Sequence, residues 1–308
     1  MRLVAIGEVM AEIRQIQPTA SDSHDGFSVG FAGDTFNTAI YCARLLGGEN
    51  EVGYVTRIGY DPLSTGLISM LIAEGLATDY IAKDQNHNIG IYSVTTDNLG
   101  ERSFHYWRNQ SAARQLFTTE ETALFLPDAD VIYLSGITLA IMQPIARIRL
   151  FEALAEKRKS GIKIAYDSNY RPALWEDKQT AQETMRIMWG LTDIALPSID
   201  DEMALFDDKS EEDVIARFAQ LGCERVAVKR GVRGPVAPAL ADEAYPVFAP
   251  AAKVVDTTAA GDSFNGGYLA AYLLGLDEAA CLLQGHDLAA KVVGAPGAIM
   301  AKTSDAPL

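Results

Sequence analysis

Cysteine and histidine are scarce in this chain, which has three cysteines and four histidines among 308 residues. Cys42, Cys223 and Cys281 are odd in number and form no CxxC pair, which indicates reduced thiols rather than a disulfide framework. The histidines show no HxxxH or similar spacing, which argues against a zinc ion held by the protein. The reduced cysteines, together with an N-terminus that resembles a first strand and not a leader, predict a cytoplasmic location.

Long apolar runs and an excess of positive charge are also missing. No run approaches the roughly 18 apolar residues that a membrane span needs. Acidic residues outnumber basic ones by 41 to 26, and no basic cluster stands out, so neither nucleic acid nor an anionic membrane is an expected partner. A Walker-type phosphate loop, Gly-x-x-x-x-Gly-Lys-Ser/Thr, does not occur. A net acidic surface repels anions, so local cations must hold any acidic ligand.

Short apolar runs recur along the chain, with helical stretches between them. Runs of this kind, buried on both faces, are typical of a doubly wound, mainly parallel α/β sheet flanked by helices. No repeat, low-complexity tract or linker divides the chain, so residues 1–308 are predicted to form a single domain. The runs include residues 3–6, 52–55, 131–134, 162–166, 194–196 and 226–228.

One region departs from this alternation of strands and helices. Residues 89–95 and 103–108 are rich in β-forming side chains and flank a turn-like segment at 97–101, which predicts an antiparallel hairpin. With that turn, Tyr92 lies opposite Tyr106, and the two-residue period adds Arg108 to the same face. We interpret this face as a lid over a hydroxylated, anionic ligand; an exposed hairpin with chance aromatics is the alternative.

The stretch 256–267 carries the clearest chemical signal. Ala259, Ala260 and Gly261 lead into Asp262, and a helical pattern follows. The small residues leave main-chain N–H groups at a helix N-terminus open to an anion, while the carboxylate can accept a proton from a hydroxyl. This combination suits transfer of a phosphoryl group to an alcohol. The alternative is that Asp262 simply caps its own helix.

Three further segments carry polar residues suited to ligand binding. Residues 33–37 open a helix that ends near Leu46, so Asp34 and Asn37 could face a ligand, although Asp34 could equally be the N-cap. Segment 167–171 follows a predicted strand, at the sheet edge where ligands collect, and offers Asn169 and Arg171. A solvated surface side chain is the alternative for Arg171. Segment 229–234 follows another strand and offers Lys229, Gly231 and Gly234 to phosphates.

These segments, in this order, resemble the ribokinase-like (PfkB) carbohydrate kinase family over almost the whole chain. Residues 256–267 match its second signature, and residues 32–37 match the core of its first, with Ala32 in place of a glycine. The resemblance implies a small β-sheet lid formed by about residues 11–30 and 87–110. It also implies Asp262 as catalytic base, and an anion hole made by the amides of Ala259, Ala260, Gly261 and Asp262.

The same resemblance assigns the ligands. ATP would come with Mg²⁺, and Asp256 and Thr258 match the place where several members hold a monovalent cation such as K⁺. Many relatives have Asn-x-x-Glu where this chain has Ser198 and Asp201, which weakens a metal-positioning role there. Members often dimerise through the lid. The implied ATP-binding residues are Asn169, Arg171, Ser198, Lys229, Gly231, Gly234, Ala259, Ala260 and Gly261.

Two arginines in one pocket, Arg108 and Arg171, indicate a sugar that carries a carboxylate. The sequence is also similar to the family's 2-keto-3-deoxygluconate kinases, which implies ATP-dependent phosphorylation of the 6-hydroxyl of 2-dehydro-3-deoxy-D-gluconate. A fructokinase or another neutral-sugar kinase is the alternative, and a catalytically idle sugar sensor is a second. The implied substrate-binding residues are Gly33, Asp34, Asn37, Tyr92, Tyr106, Arg108, Arg171 and Asp262.

Overall fold

The structure is a computed structural model that describes residues 1–16, 26–48, 50–96, 102–119, 126–241 and 244–302. The strands in chain order are β1 (Arg2–Ile6), β2 (Met10–Ile16), β3 (Gly26–Ala32), β4 (Glu51–Ile58), β5 (Ile81–Lys83), β6 (Gly90–Thr96), β7 (Arg102–Trp107), β8 (Val131–Ser135), β9 (Lys163–Asp167), β10 (Ile194–Ala195) and β11 (Arg225–Val226). The α-helices are α1 (Asp34–Leu46), α2 (Pro62–Glu74), α3 (Gly136–Ile141), α4 (Pro144–Lys159), α5 (Lys178–Leu191), α6 (Ile199–Phe206), α7 (Glu211–Gln220), α8 (Ala260–Leu273) and α9 (Glu278–Val292).

The main sheet has seven strands in the order β11-β10-β9-β8-β1-β4-β5, and its strand pairs are parallel. The six apolar runs in the sequence all lie in or beside its strands, so the predicted α/β architecture is confirmed. The edge strand β5 was not predicted, because two partly buried residues followed by an exposed lysine leave no apolar run to detect.

Helices cover both faces of this sheet, as alternation along β1 illustrates. Leu3 and Ala5 pack into one core with α1, α2, α8 and α9, while Val4 and Ile6 pack into the opposite core with α3 to α7. A strand that is buried on both sides has to be apolar at every position, which is why these strands appear in the sequence as continuous apolar runs.

A separate four-stranded sheet, which we call the lid sheet after the lid predicted for these segments, has the order β3-β2-β6-β7. Its outer pairs are antiparallel and its central pair, β2 with β6, is parallel. Tyr92 pairs directly with Tyr106, as predicted, whereas the predicted turn at 97–101 lies outside the described residues. Phe27, Val29 and Trp107 are exposed on this sheet. Dimerisation through the lid stays a prediction.

Glycines fix the position of α8 between its two neighbouring helices. A Cβ atom on Gly266 would lie 2.9 Å from the Thr38 carbonyl oxygen of α1, and one on Gly267 would lie 2.8 Å from the Gln284 carbonyl oxygen of α9. Backbone contacts this close leave no room for a side chain on either side. The start of α8 is therefore held rigidly at the edge of the main sheet. Across the described ranges, no helix has the length and apolarity that a bilayer crossing requires.

This packing predicts opposite effects of alanine at two helical glycines. Gly267→Ala should lower the free energy of unfolding by about 1–3 kcal/mol, because the added methyl group collides with α9. Gly190→Ala in α5 is the matched control: a Cβ there meets nothing within 4 Å, so it should raise the free energy of unfolding by about 0.5–1 kcal/mol. Urea denaturation measures both. Equal effects at the two positions would contradict the packing described for α8.

Candidate active site

A cavity of about 610 Å³ lies at the carboxyl ends of the central strands, under the lid sheet. It brings together most of the predicted site residues, from segments that are far apart in the chain. The predicted residues that line it are Gly33, Asp34, Asn37, Tyr92, Tyr106, Arg108, Asn169, Arg171, Ser198, Lys229, Thr258, Ala259, Ala260, Gly261 and Asp262. Glu8, Met10, Ile137, Asp167, Asp200, Asp201 and Ala298 also line it.

The N-terminus of α8 forms the floor of this cavity. Ala259 precedes the helix with left-handed backbone angles (φ 61°, ψ 18°), an unfavourable conformation for a residue with a side chain. Its carbonyl accepts the N–H of Ser263 at 2.9 Å. In the first turn, the N–H groups of Gly261 and Asp262 have no acceptor within the helix and lie at its positive dipole end. The floor is therefore suited to hold an anion.

Asp262 does not cap its own helix through its side chain. Its Oδ2 instead accepts a hydrogen bond of 2.8 Å from Nδ2 of Asn37, in the first turn of α1. Burial raises the pKa of Asp262 to about 8, helped by the negative charge of Asp34 and opposed by the Asn37 hydrogen bond. The environment thus makes this carboxyl an unusually strong base once it is deprotonated.

The structure also rejects the N-cap interpretation of Asp34. Gly33 takes the N-cap position of α1, and a Cβ on it would lie 2.3 Å from the carbonyl oxygen of Glu8, which leaves no room for a side chain. Asp34 becomes the first helical residue, and its Oδ2 accepts hydrogen bonds from Ser135 and, at 2.8 Å, from Asn169 Nδ2. Burial raises the pKa of Asp34, against the Ser135 hydrogen bond. Asp34 and Asp262 are therefore two neighbouring carboxyls that disfavour each other's ionisation.

Lys229 places a positive charge beside the start of α8. Its Nζ lies 2.8 Å from Asp167 Oδ2 and 3.1 Å from Asn265 Oδ1. A Cβ on Gly261 would be 3.6 Å from the same ammonium. Asp167, which is 2 % exposed, was not predicted as a site residue. The signal was present, since an acidic residue that ends a buried strand lies at the edge where ligands bind.

The two arginines predicted to bind a substrate carboxylate both form ion pairs within the protein. Arg108 is 7 % exposed and pairs with Glu8, which is 2 % exposed. Arg171 is half-exposed, and its Nη1 lies 3.2 Å from Asp201 Oδ1. The sequence analysis did not consider these acidic neighbours, and the binding of a substrate carboxylate by the two arginines stays a prediction. A charged residue within the apolar start of the chain, Glu8, was the available signal.

The lid side of the cavity is aromatic. The ring centroids of Tyr92 and Tyr106 are 5.8 Å apart, and Phe104 packs against both. The hydroxyl of Tyr92 donates to Glu12 in the adjacent strand β2, so this ring is held in place. Tyr106 is 54 % exposed, and the guanidinium of Arg108 lies 5.9 Å from the centre of its ring.

Gly231 and Gly234 do not line the cavity. Both have left-handed backbone angles (φ 58° and 76°), and a Cβ on Gly234 would lie 2.6 Å from Phe248. Local geometry therefore explains these glycines, and their role in ATP binding stays a prediction. Asp256 is buried, and its carboxylate accepts the N–H groups of Thr258 and Gly297. Its role in holding a monovalent cation also stays a prediction.

Comparison with known proteins places this chain in a family. Residues 1–305 match the pfkB family of carbohydrate kinases. A protein of Escherichia coli K12 named 2-dehydro-3-deoxygluconokinase is 39 % identical over 306 residues, which cover 97 % of both chains.

Two solved structures share the fold. The structure of 2-dehydro-3-deoxygluconokinase from Thermotoga maritima has a TM-score of 0.80 at 21 % identity and covers 97 % of this chain and 94 % of its own. An Escherichia coli protein described as a ribokinase II, in complex with ATP and Mg²⁺, has a TM-score of 0.79 at 24 % identity and covers 96 % and 94 %. With the family match over nearly its whole length, the chain belongs to the pfkB family of carbohydrate kinases.

Proposed function

We propose that this kinase transfers the γ-phosphoryl group of ATP to the 6-hydroxyl of 2-dehydro-3-deoxy-D-gluconate. The observation that carries the proposal is the position of Asp262: its carboxylate, held by Asn37 at 2.8 Å, lies at the N-terminus of α8 in the floor of the cavity. A base and an anion hole within one helical turn are the two functions that this transfer requires.

In the proposed mechanism, Asp262 accepts the proton of the hydroxyl while the hydroxyl oxygen attacks the γ-phosphorus, and ADP leaves on the opposite side. The main-chain N–H groups of Gly261 and Asp262 stabilise the phosphoryl oxygens. Lys229 adds a fixed positive charge at the same place. The small sheet would act as the lid that keeps water from the reacting groups.

Mg²⁺ fits this site as a partner of ATP rather than as a resident ion. Among the described residues, no group of three or more His, Cys, Asp or Glu side chains could hold a metal ion. When bound, Mg²⁺ would neutralise the phosphate charge while keeping several waters. Asp200 and Asp201 line the cavity and are two of the carboxylates that could face those waters.

A sugar acid is the proposed substrate because Arg108 and Arg171 both line the cavity, and because the Escherichia coli relative is named for this substrate. One observation favours a neutral sugar as the second candidate. Each arginine already has a carboxylate partner, so neither carries an uncompensated charge. A cytoplasmic location and the monovalent cation stay predictions.

A substrate panel separates these candidates. We expect kcat/KM for 2-dehydro-3-deoxy-D-gluconate to exceed that for fructose or ribose by about 10²-fold or more, since each charge-assisted hydrogen bond contributes about 1.5–3 kcal/mol. ADP release measured with each sugar provides the comparison. A higher kcat/KM for fructose would identify a neutral-sugar kinase instead.

Replacing the proposed base tests the chemistry and the sugar-sensor alternative together. Asp262→Asn should lower kcat by about 10²–10⁴-fold, because the proton acceptor is lost. Sugar affinity measured by calorimetry should change little, since an amide keeps the shape. Asp277→Asn is the control, because Asp277 caps α9 outside the cavity. Unchanged turnover in Asp262→Asn would contradict the assignment of the base.

The raised pKa of Asp262 predicts a pH dependence. A base works only when deprotonated, so kcat/KM should fall about tenfold per unit as the pH drops below about 8. Asp34→Asn removes a neighbouring negative charge and should move this acid limb to lower pH, whatever its effect on the maximal rate. A limb that stays in place in Asp34→Asn, measured by pH–rate profiles, would contradict the coupling between the two carboxyls.

A further inference from the structure

Two buried side chains connect the main sheet to the lid sheet at the cavity wall. Glu8 follows β1 and is 2 % exposed, and Arg108 follows β7 and is 7 % exposed. They form an ion pair, and Ser111 Oγ donates to the same Glu8 carboxylate. Both residues line the cavity, yet the proposed transfer of the phosphoryl group makes no use of Glu8.

The surroundings confine this pair. A Cβ on Gly90 would lie 2.9 Å from Glu8 Oε1 and 3.4 Å from the Arg108 Cβ, so the absence of a side chain at residue 90 makes room for both. A guanidinium that is almost fully buried needs its counter-ion, because an unpaired buried charge is strongly disfavoured. Without Glu8, Arg108 would therefore turn away from its present position.

We propose that Glu8 is a positioning residue that gives the site its preference for an anionic sugar by holding Arg108 in the cavity wall. The proposal rests on the proposed function. Fixing the guanidinium in advance reduces the conformational entropy lost when a substrate carboxylate bonds to its remaining N–H groups. A neutral sugar gains little from this arrangement. Glu8 itself acts through Arg108 and takes no part in the chemistry.

The test compares two substrates in Glu8→Gln. One is the sugar acid, and the other is its neutral analogue with a hydroxymethyl group in place of the carboxylate. We expect kcat/KM for the acid to fall about 30-fold or more, mainly through KM, because truncating a buried charge pair at a binding site has effects of this size. The analogue should lose less than about threefold. Glu8→Asp, which keeps the charge, should recover part of the preference for the acid.

A double-mutant cycle shows whether Glu8 acts through Arg108. In an Arg108→Gln background, Glu8→Gln should cause no further loss of the acid-to-analogue ratio, because there is no guanidinium left to position. The double variant lacks both charges of this pair. Where Glu8→Gln alone does not fold, Glu8→Asp, which keeps the counter-ion but shortens it, supplies the comparison: it should lower the acid-to-analogue ratio in the wild-type background and leave it unchanged in the Arg108→Gln background.

Glu74→Gln is the matched control. Glu74 forms another buried pair, with Arg44 at 2.8 Å, but neither residue lines the cavity of the active site. This variant should lose stability while the acid-to-analogue ratio stays unchanged. Equal losses on both substrates in Glu8→Gln, or additive losses in the cycle, would overturn the proposal. A wild-type enzyme that is inactive on the acid would instead overturn the proposed function itself.

Discussion

The hydrogen bond between Asn37 and Asp262 is the interaction on which the site depends. It joins the first turns of α1 and α8, two helices whose starts meet at the edge of the main sheet. The glycine contacts of α8 hold this geometry, since Gly266 and Gly267 bring its backbone against α1 and α9. The proposed base and the amides proposed to bind the anion are consequently held in a fixed relation to each other.

Charge balance within the cavity is the second constraint. Among the described lining residues there are six carboxylates but only three cations, Arg108, Arg171 and Lys229. Each cation is paired, so the site itself attracts anions weakly, and the net acidic surface of the chain repels them. The raised pKa values of Asp34 and Asp262 reduce the excess of negative charge, because a protonated carboxyl is neutral. A cation that arrives with ATP would reduce it further.

Much of the fold could be predicted from the sequence because burial on both faces leaves continuous apolar runs. The hairpin register that pairs Tyr92 with Tyr106 followed from strand period and turn length. Ion pairs were harder to predict: Glu8 and Arg108 are a hundred residues apart, and their contact exists only because β1 and β7 end at the same cavity. The role of Asp34 was ambiguous for a similar reason, since its partners Ser135 and Asn169 are more than a hundred residues away in the chain.

The confinement of α8 has one more consequence. Backbone contacts on two sides leave this helix little room to slide, so the packing of α8 sets the height of the Asp262 carboxylate above the sheet. With Asp262 as the proposed base and Arg108 as the proposed ligand of the substrate carboxylate, the distance between the two side chains would limit the length of the acceptor. Chain length would then contribute to substrate selection as well as ring shape.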